Sequence, residues 1–261
     1  MERYIKRGLV VLSAAVLVFC CGGAVSCAQP GFNPEDSFSE ANSLYRHNQY
    51  DAALAEYEKI LDNGFLSGNI YYNLGNCYFK KGELGRAILN YERAKSFIPG
   101  DSDLRSNYEY ARSSLNLGPD VLPGSWFIRT LDKAFAGMNI NVLALAVSLI
   151  YLLILVLTAL RVLLDRKIRF YKTIIVGIAL VFVVSAAALY RKIEFLDHGA
   201  VVIAKEIEAK FEPLEKATAY FTLPEGTKVM VVDSSGNWLK VKRSDNKVGW
   251  VDRAGISLIY N

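Results

Sequence analysis

Tyr50-Asp51-Ala52-Ala53-Leu54-Ala55-Glu56-Tyr57-Glu58-Lys59 and Leu84-Gly85-Arg86-Ala87-Ile88-Leu89-Asn90-Tyr91-Glu92-Arg93 are one helical segment written twice, 34 residues apart. Ala53 falls on Ala87 and Tyr57 on Tyr91. Self-similarity at a fixed period of this length means stacked supersecondary units, each too small to bury its own apolar face. Ahead of the second copy, Tyr71, Leu74 and Tyr78 lie at i, i+3 and i+7, one face of a helix. Gly75 and Ala87 stand where the two helices of a pair approach closely, leaving no room for a larger side chain. Gly82 turns the chain between helices, and Pro99 stops the second one.

Tyr71, Leu74-Gly75, Tyr78, Gly82, Ala87, Tyr91, Ala94 and Pro99 all fall at the tetratricopeptide spacing, so residues 36–99 resemble two such repeats. The first copy has Ala41 in place of the glycine. Residues 101–115 predict one more helix, with Leu104, Tyr108, Ala111 and Leu115 as its apolar stripe and Asp101, Ser102 and Asp103 as N-cap candidates. A stacked array exposes an apolar end, and this helix reads as its solvating cap, giving a repeat domain over 36–115. The resemblance implies a peptide groove lined by the first helix of each pair, which here carries Asn42, Tyr45, Arg46, Tyr72, Asn73, Asn76 and Lys80. One subclass of these repeats clamps a C-terminal carboxylate with asparagines and cations. Asn42 and Asn73 match its asparagine positions, but its cationic positions fall on Phe38, Asp103 and Asn107. The charge a carboxylate needs is missing, so carboxylate capture is not expected.

The N-terminus reads as an export signal over residues 1–28. Arg3, Lys6 and Arg7 form a positive region, Leu9 to Phe19 an apolar one, and Ser26-Cys27-Ala28 a small-x-small cleavage site. Two alternatives stay open. The segment is an uncleaved anchor, or Cys27 is lipidated, because Ala24-Val25-Ser26-Cys27 loosely resembles a lipobox. The remaining cysteines are Cys20, Cys21 and Cys77, which provide no disulfide framework.

Residues 116–139 combine a Pro/Gly linker with Trp126, Phe127, Leu131, Phe135 and Met138 at helical spacing, a short interfacial helix with Trp126 at headgroup level. Residues 140–160 and 173–190 are two apolar runs without a charge, each near the ~20 residues that cross ~30 Å of hydrocarbon. A charge at the centre of either would cost about 2.5–3.5 kcal/mol, and none is present to carry ions or protons. Between them, residues 161–172 hold Arg161, Arg166, Lys167, Arg169 and Lys172 against Asp165 alone. The positive-inside rule makes this loop cytoplasmic and puts both soluble parts outside the cytoplasm, which is where the export signal also sends them.

From Gly199 the pattern becomes short strands: Ala200–Ala204, Thr227–Val232, Trp238–Val241 and Val248–Val251. Leu223–Gly226, Asp233–Asn237 and Ser244–Asn246 are the turns. The Gly-Asn-Trp238 and Gly-Trp250-Val elements resemble a bacterial SH3-like domain over residues 199–261. Ala209-Lys210-Phe211-Glu212-Pro213 replaces the usual opening segment of that family. Trp238 and Trp250 are expected in the core, because a barrel this small needs large apolar side chains. The other reading makes them an aromatic binding surface.

The expected architecture is therefore multi-domain: an all-α tetratricopeptide repeat, two transmembrane helices and a small all-β SH3-like barrel. Net charge is only +4 over 261 residues, with the basic excess beside the apolar runs, so nucleic acid is excluded as a partner. The two histidines, His47 and His198, are far apart, and Cys77 sits at a packing position. No converging set of acids, bases and nucleophiles is present, so neither an enzyme nor a metal or other cofactor is expected. In this order of parts the chain resembles the BatE proteins of the Bat aerotolerance group. That resemblance implies a bacterial inner-membrane complex with other membrane or periplasmic proteins, including von Willebrand factor A domain subunits, and a role in aerotolerance or oxidative stress. The expected function is a non-catalytic membrane scaffold. The alternative is an envelope sensor or wall-binding protein whose barrel touches peptidoglycan. Membrane lipid is a partner in both.

Overall fold

The computed structural model describes residues 32–118, 125–164 and 170–260. The expected export signal and Cys27, much of the linker at 119–124 and the centre of the basic loop at 165–169 lie outside the described residues.

Two helical hairpins come first: α1 (Pro34–Arg46) with α2 (Tyr50–Asp62), and α3 (Gly68–Lys80) with α4 (Leu84–Phe97). A fifth helix, α5 (Ser102–Ser114), follows. The starts are capped as side-chain chemistry dictates. The Asn33 carboxamide accepts from the Glu35 amide at 3.0 Å with Pro34 next in line, and the Asp101 carboxylate accepts from the Leu104 amide at 2.7 Å. Gly82 leaves α3 at φ +77°, a left-handed turn that admits glycine most readily. The close approach anticipated at Gly75 is real: an added Cβ there would fall 2.4 Å from the Tyr91 ring. Tyr57, Tyr91, Ile60, Ile88 and Leu104 are fully buried between the helices, each contributing about 1.5–3 kcal/mol of apolar burial.

The amphipathic helix α6 (Trp126–Phe135) leads to α7 (Ile140–Leu164) and α8 (Tyr171–His198). Both long helices are apolar enough to cross a membrane, with mean hydropathy 2.8 and 2.5 over the most apolar 18 residues of Ile140–Leu163 and Tyr171–His198 respectively. They pair side by side, with Tyr151 and Phe182 in ring contact at 6.0 Å. At 1.5 Å per residue the 28 residues of α8 span about 42 Å, well beyond ~30 Å of hydrocarbon. The surplus is its last two turns, Arg191–His198, which stand clear of the apolar run.

No linker separates α8 from the β domain. His198 ends the helix and Gly199 begins β1 (Gly199–Val202). An added Cβ at Gly199 would fall 2.3 Å from the Phe195 carbonyl oxygen, so the corner closes only around glycine. The strands β2 (Glu206–Lys210), β3 (Ala219–Pro224), β4 (Lys228–Ser235), β5 (Trp238–Lys242), β6 (Val248–Asp252) and β7 (Ile256–Leu258) complete one antiparallel sheet ordered β3-β2-β6-β5-β4-β1-β7. The loop expected over Asp233–Asn237 is shorter than the sequence reading. Strand β4 runs to Ser235, which pairs directly with Trp238, and only Gly236 (φ +57°) and Asn237 form the turn. Three strands escape the sequence reading: β2, whose polar residues mask the period; β3; and β7, only three residues long.

Register places the tryptophans outside the core, against the expectation. Leu239 pairs with Val251 and Val241 with Gly249 on the inner face. Trp238 opposite Asp252 and Lys240 opposite Trp250 therefore share the outer face, because successive strand residues alternate. The inner face fills with smaller residues: Ala200, Val202, Ala209, Leu223, Val229, Leu239, Val241, Val251 and Ile256. The barrel spares its tryptophans because part of its apolar surface is buried elsewhere. Val201 and Ile259 are fully buried in the repeat's own core.

Candidate functional site

The repeat and the barrel meet along α4. Gly85 has the backbone of β1 against it: an added Cβ would lie 2.7 Å from the Val202 carbonyl oxygen and 2.8 Å from Glu225. The Gly85 amide donates to the Glu225 carboxylate at 2.7 Å, and Lys205 reaches the other carboxylate oxygen at 2.8 Å. Gly226, at φ +75°, faces Ile88, Leu115 and Leu117. About two helical turns beyond Gly85, Arg93 donates to the carbonyls of Ile259 (2.7 Å) and Leu258 (3.1 Å), while the Tyr260 hydroxyl donates back to the Arg93 carbonyl at 2.9 Å. Burial holds the Arg93 guanidinium below its ordinary value and pushes the Tyr260 phenol up to about 12. The equivalent positions of the first repeat, Asp51 and Lys59, face solvent. The two copies share a fold, but only the second carries a docking face.

Below that seam, Glu92 is almost fully buried. It takes Lys95 at 3.3 Å, Lys228 of β4 at 3.0 Å and the Tyr108 hydroxyl of α5. Lys228 in turn lies 5.6 Å from the Phe195 ring of α8 and 6.0 Å from that of Tyr108. A buried carboxylate is tolerable only when paired and hydrogen-bonded, and this one joins α4, α5 and β4, with α8 reached through Lys228.

Docking runs along α4 and touches α3 where the Tyr71 and Tyr260 rings meet at 6.5 Å. The Asn42 carboxamide oxygen accepts from the Tyr57 hydroxyl (2.7 Å) and from Asn73 (3.0 Å). Thirty-four residues on, the Asn76 oxygen accepts from the Tyr91 hydroxyl (2.8 Å) and from Asn107 (3.0 Å), and Asn107 also donates to the Tyr72 hydroxyl at 2.8 Å. The asparagines form a ladder that repeats with the fold and ties each helix pair to the next. Of the seven groove residues read from sequence, Asn42, Asn73, Asn76 and Tyr72 are thus bonded into one half-buried strip. Tyr45 is also half-buried, against the Tyr50 ring at 5.5 Å. Arg46 and Lys80 are exposed at the C-terminal ends of α1 and α3. Asn107 was assigned in the sequence to a missing cation; it is the end of the ladder.

Trp238 and Trp250 lie apart from this strip, half-buried on the outer face of the barrel. Lys210 sits 5.5 Å from the Trp238 ring and Lys240 5.5 Å from that of Trp250. The Phe211 and Tyr220 rings meet, tilted, at 4.5 Å and are both exposed. Cys77 is fully buried, and burial raises its thiol to about 12. His47 and His198 are exposed and meet only the backbone carbonyls of Ser43 (2.8 Å) and Glu194 (3.3 Å). Among the described residues no three His, Cys, Asp or Glu side chains converge to hold a metal.

Sequence reasoning missed the interface residues Gly85, Glu92, Arg93, Glu225 and Tyr260. A signal existed for Gly85, which stands where the first copy has Asp51 and has no reason inside the repeat to be glycine.

No curated protein matches the chain. Residues 38–102 match the family model of the tetratricopeptide repeat, and residues 211–257 that of the bacterial SH3 domain. Both are typically non-catalytic interaction modules, serving protein–protein contact or cell-wall binding. The chain joins these two modules to a pair of helices long and apolar enough to cross a membrane.

Proposed function

We propose that the chain is a non-catalytic scaffold of a bacterial envelope complex, anchored by α7 and α8 and presenting the groove of α1 and α3 to protein partners outside the cytoplasm. The observation that carries this reading is the rigid mounting of the groove. Strand β1 grows directly from α8, and the repeat shares a core with β1 and the chain end through Val201 and Ile259. A groove held in fixed relation to the bilayer suits assembly of membrane subunits, where preorganisation lowers the cost of binding. The basic loop between the spans supports the orientation, and the order of modules supports a BatE-like protein with von Willebrand factor A domain partners and a role in aerotolerance. The domain limits follow the sequence reading: export signal 1–28, repeats and cap 36–115, entry segment 116–139, spans 140–160 and 173–190 around a cytoplasmic loop 161–172, and barrel 199–261.

The test is cross-linking in intact cells from photoreactive residues at Arg46 and Lys80, with Asp51 on the outer side of the repeat as control. Discrete membrane-protein adducts from the groove positions and none from the control are expected. Equal adduct patterns from both faces would remove the scaffold reading.

A wall-binding function has its own observation, the outward Trp238 and Trp250 with lysines over their rings. Aromatic faces flanked by cations suit glycan rings and the acidic groups of wall peptides. Co-sedimentation of the detergent-solubilised full chain with purified cell wall should be lost in Trp238→Ala/Trp250→Ala. Pelleting that survives both changes excludes the face.

A further inference from the structure

A cavity of about 220 Å³ opens where α8 emerges from its apolar run. Its walls are α4, α6, the last turns of α8 and Lys228 of β4, and its floor is apolar, built from Phe135, Ala136, Ala188 and Leu196. Six cations line it, Lys95, Arg129, Lys133, Arg191, Lys192 and Lys228, against two acids, Glu92 and Asp132. Both acids are already engaged: Glu92 by Lys95 and Lys228, Asp132 by Arg191 at 3.4 Å. The charge balance of the lining is strongly positive in a partly desolvated space, where an anion gains most.

Arg129 makes the cavity a built site. Its terminal nitrogen donates to the Ser244 carbonyl at 3.0 Å, which fixes the guanidinium plane. Its Nε–H is buried and has no hydrogen-bond partner. A buried charged donor without an acceptor is unfavourable, and Nε with Nη is the fork that grips phosphate oxygens. Position identifies the source of the phosphate. Ala188 belongs to the apolar run and Arg191 and Lys192 end it, so the cavity lies at headgroup depth. Trp126 and Phe127, on the helix that carries Arg129, are exposed at that same end of the helix pair. Tryptophan, whose ring is amphipathic, seats at the headgroup boundary.

We propose that this cavity binds the phosphate of an anionic phospholipid, with the glycerol and the first carbons of the acyl chains on the apolar floor. The inference rests on α7 and α8 crossing a bilayer. The lipid then does structural work, bridging α6 and α8 and setting the depth at which the repeat–barrel unit sits.

The test uses the full chain in a neutral detergent. Phosphatidylglycerol and phosphatidylcholine with identical acyl chains are added in turn, and bound lipid is counted by native mass spectrometry. Retention of phosphatidylglycerol, with phosphatidylcholine at least about ten-fold weaker, is expected. Arg129→Gln and, separately, the exposed Lys133→Gln should each weaken phosphatidylglycerol binding, Arg129→Gln by about ten-fold or more, as loss of a charged hydrogen bond implies. Lys216→Gln, on the barrel surface, should leave it unchanged. Equal retention of the two lipids, or unchanged binding in both cavity variants, overturns the proposal. So does inorganic phosphate binding with no preference between the lipids, which would mark the site as one for a free anion. Carbonate extraction of membranes carrying the chain separates the two failures. Release of the chain would refute the spans, whereas retention without lipid preference would refute the cavity alone.

Discussion

Arg93 and Ile259 lie 166 positions apart and are joined by one hydrogen bond, from the guanidinium Nε to the carbonyl oxygen at 2.7 Å. With the 3.1 Å bond to Leu258 it fastens the end of the barrel to the second repeat. Hydrogen bonds from a charged donor are worth about 1.5–3 kcal/mol each. Arg93→Ala should therefore lower the melting temperature of the detergent-solubilised chain by at least ~4 °C. An unchanged melting curve would show that the two modules do not stabilise one another through this contact.

Alkaline pH should loosen the same seam. Tyr260 has an ordinary phenol value of 10.0 that burial raises to about 12 in the folded chain. A group raised on folding has its stability in full below the unfolded value and loses it as pH climbs through the folded one. Stability should fall between pH 10 and 12, and Tyr260→Phe should flatten part of that fall. Tyr45, Tyr57, Tyr71, Tyr78, Tyr91 and the Cys77 thiol are shifted upward by burial too and contribute in the same direction. Thermal melts in this range check the sign: a wild-type chain that gains stability from pH 10 to 12 contradicts it.

Gly85→Ala should act as a wedge. The new Cβ would meet the Val202 carbonyl oxygen at 2.7 Å, and backbone cannot step aside as a flexible side chain can. Overpacking of this sort costs about 1–3 kcal/mol. Asp51→Ala, the counterpart in the first repeat with its side chain 85% exposed, should change stability by no more than ~1 kcal/mol. Similar losses in both variants would mean the barrel does not bear on Gly85.

In the groove, stability and binding should separate. Asn76→Ala strands the Tyr91 hydroxyl and breaks the bond to Asn107, costing about 1–3 kcal/mol of stability. Arg46→Ala touches an exposed side chain and should stay within ~0.5 kcal/mol while weakening partner capture. Denaturation midpoints and cross-linking yields measured on the same two variants decide the matter. A destabilised Arg46→Ala chain would show that this arginine belongs to the fold.

The barrel offers a comparison of neighbours. Leu239 is buried at 3% exposure, and Leu239→Ala should cost about 2–5 kcal/mol. Trp238, on the outer face, should cost less when changed to Ala despite losing far more atoms. The reverse order would put the tryptophan in the core after all.

The local elements were legible in the sequence wherever periodicity was strong. Tyr71, Leu74 and Tyr78 announced their helix, Gly75 its close approach to a partner, and the two apolar runs their long helices. Strands β2 and β7 were not legible, because Glu206–Lys210 is mostly polar and Ile256–Leu258 too short for a period of two to register. The groove residues were located in sequence, but their bonding was not. A carboxamide that closes a ladder and one that waits for a ligand look alike until Asn73 and Asn107 are placed beside Asn42 and Asn76.

By itself the sequence determined the repeat, the two apolar helices and the strand-rich end, because each depends on side chains a few positions apart. Only the tertiary structure decided that the parts form one body. Gly85 against Val202, Arg93 against Ile259 and Glu92 against Lys228 pair residues more than a hundred positions apart, and no local period encodes such distances. It also decided the fate of Trp238 and Trp250. Their burial depended on how much core the barrel must supply alone, and the helix that carries Arg93 supplies part of it.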